Sequence, residues 1–389
     1  MTIIEIFNNI ANSIRNKLGT TTKIIPSNYS NEISKIVTST IINKTSGIGD
    51  ITVICEELSK YAGNVEYLSA ARECLAATTI GNYALFGGGG DGTGNGYLST
   101  VDSYNTSLVH GSPTVLSEAR SELSGTSIGN YALFAGGYGN GSYRMTVDTY
   151  NPSLSKSTAE YLSKSRYGLT STTVGNYALF GGGVSLVISD VVDSYNTSLS
   201  HSTATGLNVG RGQLAATTIG DYALFGGGYN GISATKCYAT VDSYNVSLTH
   251  GSAIDLSQEK SNLAATSVGD YALFAGGSNY TYPGSYTYYA TVDTYSSSLT
   301  KTTAEDLSIA RYNLAATSVG SYALFGGGSS GSALAIVDAY TSSLVKGAAT
   351  NIFSTFNLAA TTIWNYAIFA GGRYGPGVPI SAVVTYTSI

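Results

Sequence analysis

The sequence predicts an all-β chain, a seven-bladed β-propeller carrying a small N-terminal helical segment. Three observations predict it. The run YALFGGG, or a near copy, begins at Tyr83, Tyr131, Tyr177, Tyr222, Tyr271, Tyr322 and Tyr366, at steps of 44 to 51 residues. LAATTIG or a relative precedes each copy, and TVDSYN or a relative follows it. All three pieces are short, β-branched or aromatic, and bounded by Gly, Asn or Ser, as strands are. Sheets of four antiparallel strands repeating roughly every 40 to 50 residues stack radially into a propeller.

The first two strands of each unit are joined by IGNY or VGDY, which suits a tight hairpin. A weaker fourth strand is expected in segments such as GSPTVL (Gly111 to Leu116). The seventh unit ends at VVTYTSI without a fourth strand. NVEYLSAAR (Asn64 to Arg72) matches the end of a repeat, as in TAEYLSKSR (Thr158 to Arg166). Val65–Leu68, within the Asn64–Leu68 region, is therefore expected to supply the missing outer strand and close the ring, leaving no open edge. The propeller is then assigned to residues 64–389.

In isolation, Gly87, Gly89 and Gly92 satisfy the G-x-G-x-x-G spacing of a phosphate-binding loop. Their seven-fold recurrence makes them architecture instead. Charged residues are only 11% and the net charge is −5, so no electrostatic footprint for nucleic acid exists. No continuous apolar stretch is long enough to insert in a membrane. Cys55, Cys74 and Cys237 show no metal or disulfide spacing and are expected to be free thiols.

A basic residue precedes the innermost strand in six units: Arg72, Arg120, Arg166, Arg211, Lys260 and Arg311. An acid lies in the third strand of the same six: Asp102, Asp148, Asp193, Asp242, Asp293 and Asp338. In the seventh unit, Phe356 and Thr385 are read as their replacements. Each basic residue is expected to reach across the side-chain-free glycines to its Asp, since a desolvated charge needs a partner. The alternative is a ring of arginines for an anionic ligand. His110, His201 and His250 follow the third strands of different units and are read as turn or solvent residues, not as a metal set. No metal, cofactor or nucleophile–base pair is expected. The loops offer only Asp91 and Asp190 as carboxylates, so the chain is read as not an enzyme.

Repeated residues report on a scaffold, and function belongs where repeats diverge. The loops between second and third strands diverge most, and they gather tyrosine: Tyr97, Tyr138, Tyr143, Tyr229, Tyr238, Tyr280, Tyr282, Tyr286, Tyr288, Tyr289 and Tyr374. Tyr167 and Tyr312 adjoin them beside the repeated arginines. Tyrosine gives a rigid face and a hydroxyl at small entropic cost, which suits a recognition surface for a neutral glycan or a protein. The alternative is that the loops pack on one another or on a neighbouring subunit.

In its double glycine after an apolar strand, its later tyrosine and its inter-blade arginine, the repeat resembles the kelch propellers. It lacks their outer-strand tryptophan, and the single Trp, Trp364, falls in a turn. Residues 1–39 form the N-terminal helical segment, with Ile3, Phe7, Ile10, Ile14 and Leu18 on one apolar stripe. Residues 40–63 are read as a linker. Glu5 and the broken apolar pattern exclude a signal peptide. Ile10 to Ile33 resembles a segment of structural and tail proteins of Gram-positive bacteriophages and phage-tail-like particles, in Ile14, Arg15, Lys17, Gly19, Thr20 to Thr22, Lys23, Ile24, Pro26 and Ser27. The resemblance implies a virion tail or baseplate protein made in the host cytoplasm. Its N-terminal segment would attach to other tail proteins, with homo-oligomers expected, and its propeller would face a host-surface glycan or protein. The alternative is a purely structural virion protein.

Overall fold

Each YALF-type run becomes the second strand of a four-stranded antiparallel sheet, and seven such sheets are present. The computed structural model describes residues 58–60, 65–230, 236–281, 284–348 and 351–388. The expected helical segment, with Ile3, Phe7, Ile10, Ile14 and Leu18, lies outside them, as does Tyr282. Blades one to seven begin with the inner strands Ala76–Ile80, Ser124–Ile128, Thr170–Val174, Ala215–Ile219, Ala264–Val268, Ala315–Val319 and Ala359–Ile363. No helix occurs among the described residues. Blade three is representative: Thr170–Val174, Tyr177–Gly181, Val192–Asn196 and His201–Ala204 pair in that order.

The period-two pattern decides what each face buries. In blade one, Leu85 and Val101 face blade two, where they join Phe134 and Tyr150. Ala84, Phe86 and Tyr104 face the other way and join Ile368 and Val383 of blade seven. The same division gives seven apolar wedges, one between each pair of neighbours, and the wedge between blades seven and one closes the circle. Phe86 meets Tyr104 edge-on at 6.0 Å, a contact repeated in every blade. Full burial of such a side chain contributes about 1.5–3 kcal/mol.

Blade seven is completed by Leu58–Lys60, which pairs antiparallel with Val383–Ser388. This strand falls within the expected linker and upstream of Val65–Leu68, which is irregular. The matched segment NVEYLSAAR does align with TAEYLSKSR, but in blade two the strand Lys156–Thr158 lies before the shared leucine. Leu68, like Leu116 and Leu162, is a buried plug whose N–H bonds the loop entering the third strand, here at Ser381 O, 2.9 Å away. The same reason makes the outer strand of blade one His110–Gly111 and leaves Pro113–Leu116 as plug.

At the glycine end of the blades the basic residues meet their aspartates. The separations are 2.6 Å for Arg72–Asp102, 2.7 Å for Arg120–Asp148, 2.6 Å for Arg166–Asp193 and 2.6 Å for Arg211–Asp242. Lys260–Asp293 and Arg311–Asp338 follow at 3.2 and 2.8 Å. All twelve side chains are fully buried. Each guanidinium also donates to the carbonyl of its blade's phenylalanine, as Arg166 does to Phe180 O at 3.1 Å. The stem of the arginine lies flat on the second positive-φ glycine. At Gly89 (φ +116°) an added Cβ would stand 3.2 Å from Arg72 Cβ and Cδ and 2.9 Å from Glu73 O. That position admits only glycine, by conformation and by space.

The histidines are not turn or solvent residues. Each Nε2 lies against the blade's Asp: His110–Asp102 at 2.6 Å, His201–Asp193 at 2.7 Å and His250–Asp242 at 2.7 Å. Lys156, Lys301 and Lys346 take the same place in the other three blades, at 2.9, 3.0 and 3.6 Å. The reason is a tight turn. Leu108, at φ +60°, folds the chain so that His110 returns opposite Tyr104. Each Asp thus sits between two cationic or basic side chains and also accepts a backbone N–H, as from Ser69 or Ser163.

Blade seven lacks the network, and the replacements are Thr355 and Val384, one residue before Phe356 and Thr385 in each case. The carbonyl of Thr355 accepts Gly328 N–H, as that of Arg311 accepts Gly277 N–H. Val384 pairs with Phe369, as Asp102 pairs with Phe86. Val384 joins Ile352, Leu358 and Phe369 in an apolar cluster.

Burial pushes the carboxyls of Asp102, Asp148, Asp193 and Asp293 upward, but the adjacent cation and hydrogen bonds more than offset it, leaving each below the usual range. Their contribution to stability is therefore present above the unfolded aspartate value of about 4 and lost as pH falls below it. Calorimetry is expected to show a melting temperature that is level from pH 7 to pH 5 and drops steeply below pH 4. Asp193→Ala should destabilise by about 3–5 kcal/mol through the stranded Arg166 charge. The pair Arg166→Thr with Asp193→Val, copying blade seven, should lose less.

Burial also raises the phenols of Tyr104, Tyr150, Tyr195, Tyr244, Tyr295 and Tyr340 well above their ordinary value, with the neighbouring Asp charge adding to it. Each hydroxyl donates to a carbonyl, as Tyr244 does to Thr205 O at 2.7 Å. An unfolded chain ionises these groups first, so stability is present below about pH 10 and lost above it. Tyrosinate absorbance should rise cooperatively with unfolding in that range. Independent, gradual titration of these six in a folded chain would contradict the assignment.

Candidate functional site

The variable loops and the residues after each arginine share the glycine end of the ring. Two residues beyond the basic position come Cys74, Glu122, Gly168, Gln213, Asn262, Asn313 and Asn357. All seven have φ between +52° and +60°. Their backbones form a closed circle. Glu122 N–H donates to Cys74 O, Gly168 to Glu122, Gln213 to Gly168, Asn262 to Gln213, Asn313 to Asn262, Asn357 to Asn313 and Cys74 to Asn357, at 2.8–3.0 Å. Gln213 extends over Gly168, and its Nε2 donates to Glu122 Oε2 at 2.7 Å.

A cavity of about 560 Å³ opens beside this circle. Tyr97, Tyr138, Tyr143 and Tyr167 line it as one cluster of touching rings. Tyr138 contacts the other three at centroid distances of 5.8, 5.5 and 5.9 Å. Tyr143 lies flat on Tyr167 at 5.8 Å. The loop is held in place by its own hairpin, Tyr138–Gly139 with Ser142–Tyr143. Glu73, Arg373 and Asn357 also line it. Arg373 Nε is 3.2 Å from Glu73 Oε2, Asn357 Nδ2 donates to the same oxygen at 2.8 Å, and the guanidinium covers the Phe356 ring at 4.7 Å.

The electrostatics of the cavity lean towards neutral groups. Burial pushes the Glu122 carboxyl up, and the charge of Glu73 adds to it, against the Gln213 hydrogen bond. Burial, Tyr229 and Glu122 push the Tyr167 phenol up to about 12. The Cys74 thiol is raised by burial and by Glu122 and Glu73, the opposite of an activated nucleophile. Arg373 is committed to Glu73.

The other loop tyrosines fall elsewhere on this end. Tyr288 stacks on Tyr312 at 5.1 Å, and Tyr280 meets Tyr286 at 4.9 Å, on the hairpin Ser278–Thr281 with Ser285–Tyr288. Tyr238 takes Lys236 Nζ over its ring at 5.3 Å. Tyr229 and Tyr289 are half-buried, and Tyr374 is exposed. Asp91 is half-buried and occupied by its own turn, accepting from Thr93 N–H and Oγ1–H. Glu73 and Glu122 were not among the carboxylates expected at this end, yet both face the cavity. The signal for them is the two-residue gap between a repeated Arg and a repeated Leu, which changes in every unit: EC, SE, YG, GQ, SN, YN and FN. Cys74 and Cys237 are free thiols, and Cys55 lies outside the described residues. Among the described residues no three His, Cys, Asp or Glu side chains are grouped to hold a metal.

No family model matches the chain, and no curated protein matches it in sequence. Among solved structures it is similar to one titled "Structure of YjhT", with a TM-score of 0.56 at 11% identity, covering 84% of this chain and 99% of the other. The likeness is one of fold, and the chain is a seven-bladed β-propeller.

Proposed function

We propose that the chain is a non-enzymatic tail or baseplate component of a bacteriophage or phage-tail-like particle, with a kelch-like propeller whose loop face recognises a bacterial surface. The observation that carries the recognition reading is the tyrosine-walled cavity, set among the variable loops on a rigid hydrogen-bonded circle. Such a site is preorganised, and recognition loops rich in Tyr, Gly, Ser and Asn bind at low entropic cost. The resemblance of Ile10 to Ile33 to phage structural proteins supports the particle, and the raised Cys74 thiol and Glu73–Arg373 pairing support binding without chemistry.

A purely structural role is the second reading, and Leu186 and Val187 favour it. They are 86% and 60% exposed in the blade-three loop, a small apolar patch of the kind that meets another protein.

The full chain should bind envelopes of some Gram-positive strains and not others. Changing Tyr97, Tyr138 and Tyr143 to Ser should weaken that binding at least about tenfold, whereas Leu186→Ser with Val187→Ser should leave it intact. Binding that survives the tyrosine changes would remove the cavity from the reading. Loss only in the Leu186/Val187 variant, with particle assembly impaired, would favour the structural role.

A further inference from the structure

Two tyrosine stacks occupy one structural position, repeated. Tyr143 of blade two lies on Tyr167 of blade three, with planes 8° apart. Tyr288 of blade five lies on Tyr312 of blade six, with planes 15° apart. Tyr143 and Tyr288 each precede the residue whose N–H closes the loop on the second glycine, Arg144 on Gly137 and Tyr289 on Gly277. Tyr167 and Tyr312 each follow the repeated arginine. The stacks are three blades apart, close to opposite sides of the ring.

The fold does not require them. The same two positions hold Ile188 with Gly212, or Cys237 with Ser261, and the backbone bridge from the post-arginine residue persists, as in Gly212 with Tyr229 and Ser261 with Ser278. All four tyrosines remain partly exposed. Around the first stack, the cavity is lined by Tyr, Gly, Ser, Asn, Glu, Arg and Cys, with no Leu, Ile, Val, Met or Phe. Pockets for most small molecules add aliphatic side chains to the aromatic ones. Its one arginine is neutralised by Glu73, and Glu122 adds a carboxyl, so a phosphate or carboxylate ligand finds no free cation there.

We infer that the two stacks are equivalent sugar subsites, and that the loop face holds an uncharged polysaccharide laid across the axis, with one residue on Tyr143–Tyr167 and another on Tyr288–Tyr312. This rests on the recognition reading and names its ligand class. A pyranose offers a flat C–H face to a phenol ring and a rim of hydroxyls to amides, and Asn262, Asn313 and Asn357 sit on the hydrogen-bonded circle at the same end of the ring. Two weak subsites joined by one chain give an avidity of about 10²–10⁴ over either alone.

The test is calorimetric titration of the full chain with neutral trisaccharides (chitotriose, cellotriose, maltotriose and mannotriose), their polymers, and polyglycerol phosphate. At least one trisaccharide should bind with two equivalents per chain. Tyr167→Ser and Tyr312→Ser should each leave one equivalent and weaken the matching polymer about a hundredfold. Tyr312→Phe, which keeps the stack, should retain both, and melting temperatures check folding. No trisaccharide binding at millimolar concentration, a single equivalent unaffected by Tyr312→Ser, or preference for polyglycerol phosphate would overturn the inference. Envelope binding abolished by protease and untouched by periodate would identify a protein ligand, leaving recognition standing and removing the sugar subsites. Trisaccharide binding without any envelope binding would do the reverse.

Discussion

Six blades are organised around a carboxylate buried out of reach of bulk solvent. A buried aspartate must be surrounded by donors, and a buried arginine by acceptors, or the charge costs several kcal/mol. Here each is paired with the other, and the arrangement fixes much else. The arginine must reach the third strand, so the chain beneath its stem must carry no side chain, and the second glycine follows, while the first is kept bare by the arginine carbonyl and the leucine of the next blade. The glycines turn the second strand away from the sheet, which launches the variable loop from a fixed point. The second base, His or Lys, ties the outer strand to the same acid. One group therefore aligns inner, third and outer strands and the root of the loop.

Above this layer the requirements relax. The backbone circle asks only that each blade present a residue in the left-handed conformation, and Asn or Gly provides it most easily. Glu, Gln and Cys at the same place carry extra conformational cost, and they cluster on the side where the cavity opens. The loops in turn need only one N–H to close on the second glycine. Their length and composition are otherwise free, which is why tyrosine could accumulate in some and aliphatic side chains in another.

The repeated part of this design was legible in the sequence, because repetition separates scaffold from ornament. Blade number, the strand pieces and the partnership of arginine with aspartate could all be read from the spacing of YALF runs. Other parts could not. The histidines were misread because the turn at Leu108 is tighter than its sequence suggests, and only the fold shows that Lys156 is their counterpart. The closing strand was misplaced because the leucine plug resembles a strand in composition while its N–H serves a loop. Glu73 and Glu122 were missed because a circle around an axis joins residues about a blade apart in sequence, and no linear motif marks it.

The backbone circle has a consequence for evolvability. Its seven amide dipoles run head to tail around a closed path, so they cancel, and the axis receives no field of the kind a helix terminus provides. Whatever polarity this end possesses comes from the side chains at the seven positions. Cys, Glu, Gly, Gln and Asn are already interchangeable there without disturbing the hydrogen bonds. A lineage can thus rewrite what the axis discriminates, one blade at a time, while the machinery that folds the ring goes on unchanged.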